Sequence, residues 1–179
     1  FNYDSGSTGS NRLLMVGISY RNRGSETVTS VTYNGVALTQ VGTDQVNTGG
    51  GNWDGRVYIY RLVNPPTGSN ALAVTWSAAL QRGAVIGAVT YSGVDAASPT
   101  GAFASATSAG STTPAVTVAS AAGELAFGVV SGRTTSNYTT TAPGTSHWST
   151  RMTTATSDGS TAGAAQSSAG AASVTLGWT

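Results

Sequence analysis

Apolar residues in this chain recur at every second position and nowhere at helical spacing, so the element it can build repeatedly is the β-strand. Leu72, Val74 and Trp76 alternate with Ala71, Ala73 and Thr75, and Tyr58, Tyr60 and Leu62 alternate with Val57, Ile59, Arg61 and Val63. Successive strand residues point to opposite faces, so each alternation separates a core face from a second one. Arg12 to Tyr20 (RLLMVGISY) is instead a continuous apolar run, as in a strand covered on both sides. The strongest turn signal is Asn34-Gly35, between Thr27 to Tyr33 and Val36 to Val41, because a two-residue type I′ hairpin needs φ > 0 at both positions. Asn64-Pro65-Pro66-Thr67-Gly68 ends the strand Arg56 to Val63, since proline cannot donate to a ladder. Gly83 to Tyr91, Pro114 to Ser120, Gly123 to Ser131, Ser146 to Thr154 and Ala172 to Trp178 complete about ten strands. The fold class is all-β: a two-layer antiparallel β-sandwich, jelly-roll-like, in one domain over 1–179. Its core is expected at Leu14, Val16, Ile18, Leu72, Val74, Trp76, Val89, Leu125, Phe127 and Leu176. Ala102 to Thr113 and Ser157 to Gly170 read as long surface loops or weak edge strands.

Composition removes whole classes of chemistry. The chain has no cysteine, which excludes disulfides, thiolate nucleophiles and Cys-based metal sites. It also has no lysine, which excludes Schiff-base chemistry and isopeptide cross-links. Its eight basic residues are all arginine and dispersed, and its pI is near 8.3. A nucleic-acid binder concentrates basic residues into a stripe, so no nucleic-acid partner is expected. No apolar stretch approaches the roughly 20 residues of a membrane span, so no membrane insertion is expected. Gly, Ala, Ser and Thr supply more than half of the residues. A cysteine-free chain of this kind, poor in charge, fits a secreted protein at the cell surface or beyond it.

Four segments occur together in order: VTYNGVALTQVG at 31–42, VYIYRLVNPPTG at 57–68, VTYSGVDAASPTG at 89–101 and SAAGELAFGVVSGR at 120–133. The chain thereby resembles a family of β-sandwich modules found in large bacterial secreted and cell-surface proteins. The resemblance covers most of the chain, and it implies a structural, adhesive or carbohydrate-contacting role. It also implies a longer first strand before Asn2 and a further strand after Ala172 to Trp178. A sandwich that lacks or lends a terminal strand is therefore expected, with Phe1 and Tyr3 entering a neighbour's pockets by β-strand addition.

Catalytic constellations are not evident. His147 is the sole histidine, no Gly-x-Ser-x-Gly elbow accompanies it, and it lies in a strand between Ser146 and Trp148. The seven carboxylates are spread along the chain, and nothing in the sequence pairs two of them as a glycosidase would require. No catalytic residue, metal or cofactor is expected. The loop Asp44 to Gly55 does carry the hard oxygen ligands that calcium takes, with Asp44, Asn52 and Asp54 as weak candidates. Trp53 in the same loop is a candidate for subunit contact or for stacking on a sugar, and Trp148 is the other carbohydrate-contact candidate. Asn137-Tyr138-Thr139 is a sequon, making Asn137 a glycosylation candidate. Asp95 is expected to organise a turn, and Glu124 to pair with an arginine.

The leading expectation is a non-enzymatic extracellular subunit that assembles with copies of itself into a filament or layer, because edges without charges lack their usual protection. The alternative is a carbohydrate-binding or adhesin module of a larger secreted protein.

Overall fold

The computed structural model describes residues 1–46, 54–152 and 160–179. The described residues contain no helix and form thirteen strands: β1 (Asn2–Asp4), β2 (Leu13–Asn22), β3 (Val28–Tyr33), β4 (Val36–Ala37), β5 (Thr39–Gln45), β6 (Asp54–Val63), β7 (Ser69–Trp76), β8 (Ala84–Tyr91), β9 (Ala115–Ala119), β10 (Leu125–Thr134), β11 (Thr145–Met152), β12 (Ser160–Ala169) and β13 (Ser173–Gly177). They pair antiparallel into four sheets, ordered β1-β7-β3-β4, β5-β6-β2-β8, β10-β12-β11 and β13-β9. The architecture is all-β and antiparallel, as the alternation requires. The arrangement is that of a β-sandwich, with thirteen strands where about ten were expected, and apolar clusters lie between the first and second sheets, the second and third, and the third and fourth.

Local chemistry explains each element. Asn34 and Gly35 have φ of 50° and 77°, the left-handed pair that the type I′ hairpin between β3 and β4 demands. The expected strand Val36 to Val41 is divided at Leu38, whose buried side chain marks the point where the chain leaves the first sheet for the second. β2 lies at the interior of the second sheet and is buried along its whole length. Its even-numbered residues Leu14, Val16, Ile18 and Tyr20 join Tyr58, Tyr60, Val31, Tyr33 and Leu72 in a core against the first sheet. Leu13 and Met15 face the other way and pack with Ile59, Phe127 and Val129 against the third sheet. Beyond that, Ala126, Val130 and Ala164 pack with Val174, Leu176 and Trp178 of the fourth.

The third sheet is possible because β12 is made of small residues. Thr161 to Ser168 are all buried. A Cβ placed on Gly163 would come within 2.6 Å of Ser19 Cβ and 2.9 Å of Val85 Cβ. Cα atoms of β12 and β2 lie within 8 Å of one another, closer than the roughly 10 Å usual between stacked sheets. The stretch expected to be a surface loop or weak edge at Ser157 to Gly170 therefore contains, from Ser160 to Ala169, an interior strand. Of the expected core, Leu14, Val16, Ile18, Leu72 and Leu176 are buried, whereas Val74, Trp76, Val89 and Phe127 are half-buried. Leu125 is 47% exposed. It sits at the outer end of β10 opposite Ala169, which is also exposed, while its neighbour Ala126 takes the inward position.

Half of the arginines are used inside this fold. Arg12, Arg21, Arg56 and Arg82 are buried. Arg12 donates to the carbonyls of Ser5 (3.1 Å), Gly6 (2.7 Å) and Pro65, tying the N-terminal turn to the Pro65-Pro66 turn. Arg56 donates to the carbonyls of Glu26 (2.7 Å) and Gly24 (2.8 Å) and lies over the Tyr20 ring. Buried backbone acceptors need donors, and guanidinium groups supply several at once. The surface is left still poorer in charge than the sequence implies.

Candidate functional site

The two edges of the second sheet are built very differently. β5 is the edge on one side, and it is guarded. Its pairing with β6 is interrupted by a bulge between Gln40 and Gly42. It carries Asp44, and the Phe103 ring lies so close over Gly42 that an added Cβ would come within 2.3 Å of it. Bulges, charges and covering segments are the ordinary means by which sheet edges avoid pairing with other chains.

β8 is the edge on the other side. It reads AVIGAVTY, without a charge or a proline, and among the described residues it pairs only with β2. Among the described residues no backbone hydrogen bond leads from β8 to any other segment. Two further edges stack on it. β11 lies over β8 on one face, with Trp148 against Gly87, the His147 ring 5.8 Å from the Tyr91 ring, and Met152 against Gly83. On the other face the Tyr3 hydroxyl of β1 is 3.1 Å from Thr90 Oγ1. The charges on these strands are few: Asp4 of β1, which accepts from the Gly6 amide, and Arg151 of β11, which donates to the Thr135 carbonyl. The result is one side of the molecule on which three edges coincide.

His147 occupies the interface between β11 and β8 because of a bulge. Ser146 pairs with Gln166 and Trp148 with Ala165, so His147 is the extra residue, and two consecutive side chains face the second sheet. Nε2 of His147 is 2.8 Å from the Tyr91 hydroxyl and 2.9 Å from Ser167 Oγ. With its proton on Nδ1 the imidazole accepts both bonds. Burial holds the His147 pKa below its ordinary value near 6.5 and is the main cause that pushes the Tyr91 phenol up to about 12. Both groups are therefore neutral near pH 7.

The expected site residues fall as follows. Trp148 packs its indole against Gly17 and Gly87, with Nε1 buried, which is a packing position and not a platform for a sugar ring. Tyr3 packs edge-on against Tyr33 of the same chain, and β1 pairs with β7. Phe1 is 61% exposed, and its ammonium group donates to the Leu72 carbonyl. Asp44 and Asp54 belong to strands β5 and β6, while Asn52 and Trp53 lie outside the described residues. Among the described residues no three His, Asp or Glu side chains gather as a metal site would require. Asn137 is exposed on the loop after β10. Asp95 accepts from the Ala97 amide, the expected turn. Glu124 accepts from Ser120 Oγ and the Ala121 amide, so a local turn takes the place of the expected arginine. The bare edge at β8 escaped sequence reasoning because pairing order is a long-range property. Its signal was the charge-free run Gly83 to Tyr91.

No family model matches the chain, and no curated protein or solved structure does so either.

Proposed function

We propose that the protein is a non-enzymatic structural subunit of an extracellular or cell-surface assembly, and that β8 is an edge through which copies join. The observation that carries this reading is the contrast within one sheet between the guarded β5 and the unguarded β8. Two β8 edges meeting antiparallel about a two-fold axis would continue the second sheet across the joint, with the β11 edges brought together beside it. Growth into a filament or layer needs a second contact, and β9, charge-free and paired only with β13, offers one. The non-enzymatic reading rests on His147, whose Nε2 is shared between the Tyr91 and Ser167 hydroxyls while, among the described residues, no hydrogen bond links its Nδ1 to the carboxylate that a triad would need there. The resemblance of the four sequence segments to secreted surface modules supports the extracellular setting.

Light scattering and negative-stain microscopy of the purified chain test the proposal. Species larger than a monomer are expected. The double variant Ser146→Lys/Thr150→Lys places charge at two exposed positions on the strand stacked over β8, and it is expected to give a monomer with an unchanged melting temperature. A wild-type chain that is monomeric at every concentration would overturn the reading.

A further inference from the structure

Among the described residues the third sheet has three strands, and beyond the edge of β10 the second and fourth sheets face one another with no described strand between them. The gap is roofed by the segment 102–108 and leaves a cavity of about 170 Å³. One wall carries Val57 and Ile59, the other Leu176 and Trp178, and Phe127 and Val129 of β10 close the inner end. A dry cavity of about 150 Å³ accommodates a ring of six carbons, so this one is suited to a short hydrocarbon chain or a single aromatic ring.

A second chamber of about 410 Å³ adjoins the apolar cavity, the two sharing Val46, Gly55, Ser108, Pro114 and Ser131. The second chamber is the more polar of the two. Arg21 and Arg133 line it together with Ser111 and Tyr138, and among its described lining residues there is no carboxylate, the one carboxylate of the two cavities being Asp44 in the first. Arg21 is buried and bonded within the fold, whereas Arg133 is exposed. In a chain with eight cations among 179 residues, two at one chamber is a local concentration. Guanidinium groups match carboxylate oxygens in charge and in the geometry of their donors.

We infer that this paired cavity binds a small amphipathic carboxylate, the hydrocarbon in the chamber between the sheets and the anionic group at Arg133. Nothing about the association edge is required for it, since β8 and β11 lie on the far side of the second and third sheets.

Octanoate is the probe, with octanol as its neutral counterpart and acetate as its head without a tail. Titration calorimetry on the full chain is expected to show saturable octanoate binding at least about tenfold tighter than octanol, the size of one charge-assisted hydrogen bond, and no measurable acetate binding. Arg133→Gln, at an exposed position, is expected to remove that advantage and leave octanol binding unchanged. Val116→Phe fills the apolar chamber from β9 and is expected to weaken both ligands alike. Equal affinity for octanoate and octanol, an Arg133→Gln variant that binds octanoate like the wild type, or no octanoate binding at millimolar concentration would each overturn the inference. The charge comparison stands by itself should Val116→Phe not fold.

Discussion

On one face of β2, Leu14, Val16, Ile18 and Tyr20 meet Tyr33, Leu72 and other large residues of the first sheet. On the opposite face, one residue out of step, Gly17 and Ser19 meet a sheet whose middle strand is threonine, alanine, glycine, serine and glutamine. The same strand thus makes two kinds of interface. The first fills a wide gap with branched and aromatic side chains, and Tyr20 stacks on Tyr58 (6.1 Å) while Trp76 meets it edge-on (4.9 Å). The second closes a narrow gap by leaving side chains out, so that Ser19 Oγ reaches the Val130 carbonyl at 2.8 Å. Wide interfaces gain stability from apolar area, whereas narrow ones depend on the absence of a few carbons at defined positions.

Adjacent residues of β2 separate the two regimes. Ile18→Ala removes volume from the wide face, where relaxation is limited by neighbours that are themselves fully buried, and should cost about 2–5 kcal/mol. Urea denaturation would measure it. A loss below about 1 kcal/mol would mean that the wide face collapses around the gap. Gly17→Val makes the opposite change one residue away. An added Cβ would already stand 2.6 Å from Val129 Cγ2 and 2.8 Å from Trp148 Cζ2, so the expected cost is about 1–3 kcal/mol from overpacking. Pairing it with Val129→Ala should recover part of that loss, because one obstructing atom is then gone. A double variant no more stable than Gly17→Val alone would place the strain in the backbone instead.

The difference between the two faces also explains what the sequence could disclose. The wide face was legible: alternation in β6 and β7 and the continuous run of β2 all rest on contrast between large apolar and small polar side chains. The hairpin at Asn34-Gly35 was legible for a local reason, the positive φ that both residues adopt. β12 offers no such contrast. STAGAAQSSA reads as a loop because its residues are too small to show a buried face, and they are small because two sheets close on it. The surroundings of Trp148 are hidden in the sequence for a related reason. Among polar neighbours it resembles an exposed aromatic, yet the bulge at His147 turns it inward onto two glycines that lie far away in sequence. Neither the layer order nor the bulge is encoded within any short window.

The polar contact in the narrow interface supplies the smallest effect. Burial lowers the His147 pKa, so the unfolded chain binds a proton that the folded chain resists. In the window below the ordinary value near 6.5 the unfolded state therefore carries more protons, and stability must fall as the pH is lowered, until the folded imidazole is protonated as well. The geometry gives the same sign: Nε2 lies within hydrogen-bond distance of the Tyr91 and Ser167 hydroxyls, and a second ring proton removes the imidazole's one acceptor nitrogen. Tyr91, pushed up to about 12, remains protonated throughout and cannot offset the charge. The melting temperature should thus be level above pH 7 and decline below about 6.5. His147→Gln should flatten the part of that decline that lies above the carboxylate range, since an amide does not titrate. If the wild type and His147→Gln lose stability in parallel between pH 7 and 5, the narrow interface does not sense the proton, and the acid sensitivity belongs to the carboxylates elsewhere.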